Sequence, residues 1–229
     1  MEELVQKYVD KIEHAIDYGN DVLTDPFFMR TKLTNVLLSI KGMSSLENRI
    51  LLNELVDENS CYLEIGVDRG TTFISALYKN NAKYAVGIDH YGGPLFADDI
   101  KNKFIQMAEF FDLYESKDFH LVHNDCFRLN DQDLSVLSKH KFNIFFYDGA
   151  QTIESCAKLL NYYYEFLDDT FIFIVDDWSK QIVVDGIKKS LVSSNMKIAK
   201  EWNLGHSMFL KNSMELSWHN GLYIAILQK

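Results

Sequence analysis

Five aspartates follow short apolar runs of the sequence, at the points where buried β-strands would end. They are Asp89, Asp125, Asp148, Asp176 and Asp177. Ligands of open α/β sheets bind outside the carboxyl ends of the strands, so these side chains are candidates for one shared site. Carboxylates in such a place can accept hydrogen bonds from ribose hydroxyls or hold a hard divalent cation.

The first apolar run ends in a glycine-containing turn, where Glu64, Gly66 and Gly70 form an E-x-G-x-x-x-G pattern. A P-loop needs lysine after its last glycine, and threonine follows Gly70 instead. A dinucleotide fingerprint needs glycine at position 68, where Asp68 would repel a pyrophosphate. The turn therefore favours a ligand without phosphates, unless the glycines serve only the turn itself. Asp89 lies in the region expected for a carboxylate that accepts from both ribose hydroxyls.

Three of the acids would converge if the fourth and fifth apolar runs are neighbouring strands. Asp148, Asp176 and Asp177 would then repel one another unless a cation lay among them. Their oxygen atoms suit Mg²⁺, with Mn²⁺ or Ca²⁺ as alternatives, and such a metal could lower the pKa of a substrate hydroxyl. The alternative interpretation is structural, with a turn at Asp148-Gly149 and a helix cap at Asp176-Asp177.

Five apolar runs separated in part by helical stretches would position these acids. The runs are Cys61–Val67, Tyr84–Asp89, Phe119–Asp125, Phe142–Gly149 and Thr170–Asp177, and the predicted helices cover about 71–79, 98–114, 153–166 and 182–191. The last two runs are apolar at nearly every position, which is typical of parallel strands covered on both faces. The alternation predicts βαβ units and a doubly wound α/β sheet. Two further strands, 196–204 and 221–229, are expected to pair antiparallel.

The first 57 residues are predicted to form a helical extension to a domain that covers residues 58–229. One helix has an apolar face and would end at Gly19, and a second would begin at Pro26 and end before Gly42. A third would begin at Ser44, which has capping-box spacing to Glu47. The extension could cover the site or form a homodimer.

Composition limits the classes of partner. The chain has 229 residues, 47% of them hydrophobic, and a formal net charge of −10. This balance argues against a protein whose main partner is nucleic acid or an anionic membrane, so we expect a small-molecule substrate and no nucleic acid. No apolar run approaches the roughly 20 residues that span a bilayer. The three cysteines are scattered and indicate reduced thiols, and hence a cytoplasmic protein.

The ordered motifs resemble those of class I S-adenosylmethionine-dependent methyltransferases. They are the Glu64/Gly66/Gly70 turn, GID ending at Asp89, ND ending at Asp125, then YDGAQ and IVDDW. YDGA followed by VDDW is similar to the metal-dependent small-molecule O-methyltransferases of the macrocin and catechol types. The resemblance implies a Rossmann-like sheet of seven strands whose last strand is antiparallel. It also implies S-adenosylmethionine as cofactor, with Mg²⁺ or another divalent cation.

The resemblance further implies roles for individual residues. The turn from Gly66 to Gly70, with Glu64 before it, would face the methionine part of the cofactor. Asp89 would hold the ribose and His90 would lie beside the adenosine. The remaining cofactor-binding residues would be Asp125 and Cys126, at the adenine edge.

Three residues are the catalytic candidates, namely Asp148, Gln151 and His206. Gln151 departs from the family, whose members often carry histidine at this position, and His206 lies in a polar loop that could supply a base. The metal ligands would be Asp148, Asp176 and Asp177. The leading interpretation is O-methylation of a small-molecule hydroxyl. The alternatives are a metal-independent N- or carboxyl-methyltransferase and a non-catalytic, cofactor-binding regulatory protein.

Overall fold

The computed structural model describes residues 2–24, 31–33, 40, 42–91, 97–111, 118–205, 218 and 220–229. They include a seven-stranded sheet with the order β3-β2-β1-β4-β5-β7-β6. Strands β1 to β5 run parallel, and β7 is antiparallel to both of its neighbours. The strands are β1 (Cys61–Ile65), β2 (Tyr84–Asp89), β3 (Phe119–His123), β4 (Phe142–Tyr147), β5 (Leu167–Val175), β6 (Lys197–Leu204) and β7 (Leu222–Gln228). The predicted doubly wound, Rossmann-like sheet of seven strands with an antiparallel last strand is confirmed.

Helices connect and cover the strands. They are α1 (Glu2–Thr24), α2 (Leu46–Leu55), α3 (Thr71–Leu77), α4 (Ala97–Phe110), α5 (Asp131–Leu137), α6 (Ile153–Tyr163) and α7 (Gln181–Ser194). Among the described helices, none is long and apolar enough to cross a membrane.

The start and end of the N-terminal helices differ from the sequence prediction. Helix α1 continues through Gly19 to Thr24, because a single glycine costs only about 1 kcal/mol inside a helix. Ser45, and not Ser44, is the N-cap of α2, where its side chain accepts from the Asn48 N–H over 3.2 Å. The helix expected from Pro26 falls largely outside the described residues.

Helix α5, between β3 and β4, was not predicted. It is only seven residues long and carries one buried side chain, so its apolar periodicity is weak. Its N-terminus is nevertheless a full capping box between Asn130 and Asp133. That pairing of Asn with Asp three residues later was the local signal that could have indicated the helix.

Each face of the sheet carries its own apolar cluster. On one face Tyr62, Phe146 and Ile174 pack with side chains of α1 to α4, including Ile12 and Ile50. On the other face the alternate strand residues pack with α5, α6 and α7. Strands β1, β4 and β5 are buried along almost their whole length, as parallel strands between helical layers should be. Helices α1 and α2 thus share one core with the sheet.

Candidate functional site

A cavity of about 490 Å³ lies at the carboxyl ends of the parallel strands. Its lining includes five of the predicted cofactor residues, namely Gly66, Asp89, His90, Asp125 and Cys126, together with Asp148. These residues come from the ends of β1, β2, β3 and β4, four neighbouring strands of the sheet. The fold therefore brings together residues separated by more than 80 positions in the sequence.

The turn after β1 is shaped by its glycines. Gly66 has φ +92°, and a Cβ there would lie 2.0 Å from the carbonyl oxygen of Asp148. Gly70 has φ +84° and caps α3, and a Cβ there would meet the ring of Phe104. Gly66 lines the cavity, whereas Gly70 is outside its lining and serves the entry into the helix. Both glycines are thus required by the backbone itself.

Asp89 ends β2 and is held by two backbone amides. The Asp68 N–H donates to Oδ2 over 2.7 Å and the Tyr91 N–H donates to Oδ1 over 2.5 Å. Its side chain is 12% exposed, and neighbouring His90 is largely exposed with Nδ1 3.9 Å from Asp89 Oδ1. Each carboxylate oxygen can accept more than one hydrogen bond, so the fixed carboxylate can still accept from ligand hydroxyls.

The residues that follow β3 give the cavity a second carboxylate and apolar lining. Asp125 Oδ1 accepts from the Phe127 N–H over 2.9 Å, which fixes the turn after β3. Burial raises the pKa of the Cys126 thiol to about 12, so this side chain is neutral and apolar in character. Phe127 and Lys158 also line the cavity, with the ammonium 4.1 Å from the centre of the ring. These last two residues were missed by the sequence analysis, since neither belongs to a recognisable motif.

Glu64 lies inside the protein and outside the lining of the cavity. Its side chain is fully buried between β1 and α3, where it accepts hydrogen bonds from the hydroxyls of Tyr62 and, over 2.7 Å, Thr72. Burial raises its pKa to about 8, against the opposing effect of these two hydrogen bonds. The structure therefore places Glu64 behind the Gly66 turn as a support.

Asp148 lines two different cavities. It lines the large cavity and also a pocket of about 30 Å³ beside Met43, Ser44 and Thr71. Burial raises the pKa of its carboxyl group well above the usual range, and the nearby negative charges of Asp176 and Asp177 raise it further. Within the described residues, no hydrogen bond to this carboxyl group is found. Asp148 is thus a carboxyl group with a raised pKa at the edge of the candidate site.

Three side chains of the protein contact the Asp177 carboxylate. Its Oδ1 lies 2.8 Å from Lys180 Nζ and accepts from Asn220 Nδ2 over 2.7 Å, while Oδ2 accepts from the Gln151 amide. Asp177 has φ +60°. We use the name acid cluster for Asp148, Asp176 and Asp177.

With the Lys180 ammonium 2.8 Å from Asp177, this donor set does not fit a divalent cation. Asp176 Oδ1 accepts from the Asp177 N–H over 2.9 Å and faces the Asn48 amide at 3.5 Å. A lysine ammonium, not an open coordination position, faces the carboxylate of Asp177. In the part of the chain that the structure describes, no group of three or more His, Cys, Asp or Glu side chains is arranged to hold a metal ion. The expectation of a Mg²⁺ site therefore finds no support in this geometry.

Of the two remaining catalytic candidates, the structure describes only Gln151. Gln151 lies after β4 and belongs to the hydrogen-bonded group around Asp177, where Lys180 donates to its Oε1 over 2.7 Å. His206 lies outside the described residues.

Comparisons with known proteins show the fold and no closer relationship. No family model matches the sequence, and no curated protein matches it. TrmK of M. capricolum, solved with S-adenosyl-homocysteine, is 14% identical with a TM-score of 0.52, over 82% of this chain and 70% of that one. The m1A22 tRNA methyltransferase TrmK of B. subtilis is 12% identical with a TM-score of 0.50, over 82% and 67%. The ribosomal protein L11 methylase of Lactobacillus delbrueckii subsp. bulgaricus is 16% identical with a TM-score of 0.50, over 80% and 77%.

The chain thus has the fold of class I S-adenosylmethionine-dependent methyltransferases. The expectation of a small-molecule substrate and no nucleic acid is wrong on this comparison, because one of the structures with this fold is a tRNA methyltransferase. The physical reason is that a formal net charge of −10 is a sum over the whole chain. Such a sum does not describe the local charge where a substrate binds.

Proposed function

We propose that this protein transfers a methyl group from S-adenosylmethionine to an RNA acceptor, without a metal ion. The observation that carries the proposal is the cavity at the carboxyl ends of β1 to β4. It combines a left-handed glycine turn, a fixed carboxylate at Asp89 and an apolar pocket beside a second carboxylate. This combination suits a nucleoside joined to an amino acid better than it suits a ligand with phosphates.

We assign roles to the cavity residues from the resemblance to class I methyltransferases, and the chemistry of each residue suits its role. Asp89 would accept from the ribose hydroxyls, and exposed His90 would lie beside the adenosine. Asp125 would accept from the exocyclic amino group of adenine, while Cys126 and Phe127 would contact the faces of the ring. Gly66 would let the methionine part pass close to the backbone.

Asp148 is the candidate proton acceptor. The cofactor supplies an electrophilic methyl group bound to a sulfonium. A nitrogen or oxygen of the acceptor attacks that carbon, the carbon–sulfur bond breaks with its electrons staying on sulfur, and the acceptor's proton passes to Asp148. The buried position that raises the pKa of Asp148 makes it a stronger base once ionised. Gln151 would orient this region, and His206 stays a candidate for a second base.

The acceptor class is supported by the structural likeness to a tRNA methyltransferase. Its test is incubation of the protein with methyl-labelled S-adenosylmethionine and total tRNA, rRNA or ribosomal protein, with and without EDTA. Mass spectrometry of the nucleosides and of the digested protein then locates the label. We expect label in one RNA nucleoside. Label in protein alone would overturn the RNA acceptor while leaving methyl transfer in place, and loss of turnover in EDTA would overturn the metal-free reaction.

Cofactor binding has its own test in Asp89→Ala. A hydrogen bond to a charged group contributes about 1.5–3 kcal/mol, so loss of the ribose acceptor should weaken S-adenosyl-homocysteine binding about 10- to 150-fold. Calorimetry measures this, with Asp118→Ala as the control because Asp118 is exposed and outside the cavity lining. Equal affinities of wild type and Asp89→Ala, with circular dichroism showing both folded, would contradict the assignment.

A further inference from the structure

The acid cluster already has a cation among the described residues, and that cation is a side chain. Lys180 Nζ lies 2.8 Å from Asp177 Oδ1 and donates to Gln151 Oε1 over 2.7 Å. Gln151 in turn donates to Asp177 Oδ2, so these three side chains form a closed ring of polar contacts. We propose that Lys180 is the resident cation of the acid cluster and holds Gln151 and Asp177 in place, as a divalent ion would in a metal-dependent enzyme.

The burial of Asp177 explains why its carboxylate needs a positively charged partner. The Asp177 side chain is only 7% exposed, and an unpaired carboxylate at that depth would be costly. The Lys180 side chain is 39% exposed, so its stem reaches the cluster from the surface while its ammonium meets the carboxylate. A divalent ion at Asp177 would have to displace this ammonium or share the carboxylate with it, and two neighbouring positive charges repel. Lys180 therefore excludes a metal ion from the position that it stabilises.

The ring also ties separate parts of the chain to the edge of the sheet. Gln151 follows β4, Asp177 follows β5, and Asn220, which donates to the same carboxylate, precedes β7. Lys180 is the N-cap residue of α7, so the helix starts at the ring. Asp148 lies three residues before Gln151, and the charge of Lys180 opposes the effects that raise its pKa. Lys180 is thus a positioning residue beside the candidate proton acceptor.

The inference rests on the metal-free reaction of the proposed function, and its test does not depend on cofactor binding. Its experiment is Mn²⁺ titration of the full chain, followed by electron paramagnetic resonance, on the wild type and on Lys180→Met. Removal of the ammonium leaves the carboxylates without a cation, so Lys180→Met should bind one Mn²⁺ at least about tenfold more tightly than the wild type. Lys180→Arg keeps a cation and should resemble the wild type.

Two further variants separate the site from general charge effects. Lys188→Met removes the same charge from the exposed side of the same helix, and should not gain Mn²⁺ binding. Adding Asp177→Asn to Lys180→Met should remove the gained binding. Lys180→Gln serves as a second variant without a cation, should Lys180→Met fail to fold.

Two results would overturn the proposal. One is stoichiometric Mn²⁺ binding by the wild type that Asp177→Asn abolishes, since the carboxylates would then hold a metal despite Lys180. The other is a folded Lys180→Met or Lys180→Gln whose Mn²⁺ affinity equals that of Lys188→Met. S-adenosyl-homocysteine affinity, measured on the same samples, reports the proposed function independently.

Discussion

Glu64 is a buried carboxyl group whose ionisation is coupled to folding. Burial raises its pKa from an ordinary value near 4.5 to about 8. Between these values the folded protein keeps a proton that the unfolded chain has released. Stability therefore falls as the pH rises through this window, with a slope of up to about 1.4 kcal/mol per pH unit. Above about pH 8 the carboxyl group is ionised in both states and the slope from this group ends.

Glu64→Gln should flatten that dependence, because the amide keeps the shape of the side chain and does not titrate. The free energy of unfolding, measured with urea at pH 5, 6, 7 and 8, should fall less steeply in the variant than in the wild type. Some slope should persist, since the pKa of Asp148 is also raised by burial. Glu58→Gln, at an exposed position, is the control and should keep the wild-type slope. Equal slopes for wild type and Glu64→Gln would refute the assignment.

The position of Glu64 also shows what a sequence motif cannot predict about a single side chain. The E-x-G-x-x-x-G pattern identified the turn, and Gly66, Asp89 and Asp125 do line one cavity. The pattern could not show that Glu64 points into the layer between β1 and α3, because that depends on its contacts with Tyr62 and Thr72. Nor could it show that Lys180 reaches Asp177, since a lysine near the start of a helix is ordinarily solvated.

Among the elements, the turn between β1 and α3 is the most sharply constrained. The end of β4 passes so close that a Cβ on Gly66 would lie 2.0 Å from the Asp148 carbonyl oxygen, and φ of +92° disfavours any side chain. Gly66→Ala should therefore lower the free energy of unfolding by at least about 2 kcal/mol, through strain and displacement of β4.

Gly205→Ala provides the matched control for this turn. Among the residues that the structure describes, nothing lies within 4 Å of a Cβ built at Gly205, and its φ is outside the left-handed range that disfavours side chains. The substitution should change stability by no more than about 0.5 kcal/mol. Urea unfolding of both variants makes the comparison. A Gly66→Ala protein as stable as Gly205→Ala would mean that the turn can relax, and that glycine is needed only for the ligand.

Elements with strong periodicity or strong apolar character were the predictable ones. The five parallel strands and the helices after β1, β2, β4 and β5 were all expected, and the antiparallel pair at the end of the chain was too. Helix α5 was missed because it buries only Leu137, so the capping box at Asn130 was its main signal. The cap of α2 was placed one residue early, because Ser44 and Ser45 are both good N-cap residues and only the fold chooses between them.

At the scale of the whole molecule, a formal net charge does not by itself identify the partner. A formal charge of −10 argued against nucleic acid, yet the fold is shared with a tRNA methyltransferase. The acids that contribute to this sum include Glu64, Asp148 and Asp177, which are buried or engaged inside the protein. Because burial raises the pKa of Glu64 and of Asp148, and Asp177 is paired with Lys180, the formal charge overstates the negative charge that an approaching polyanion meets.

The N-terminal extension is a separate stretch of sequence but part of the same core. Ile12 of α1 and Ile50 of α2 are fully buried in the cluster that also contains Phe146 and Ile174 of the sheet. Lys11 forms an ion pair of 2.6 Å with Asp57. Burying a large aliphatic side chain contributes roughly 1.5–3 kcal/mol, so these helices hold a substantial part of the total stability.

We therefore expect the full chain to unfold as one cooperative unit, although the sequence divides at about residue 57. Differential scanning calorimetry should give a single transition whose calorimetric and van't Hoff enthalpies agree. A fragment covering residues 58–229 should lose this transition, because the sheet face that packs against Ile12 and Ile50 would be exposed to water. S-adenosyl-homocysteine should raise the midpoint of the full chain, since a ligand that binds only the folded state stabilises it. Two separate transitions, or a fragment that melts cooperatively near the full-length midpoint, would instead make the extension an independent unit docked on a self-sufficient domain.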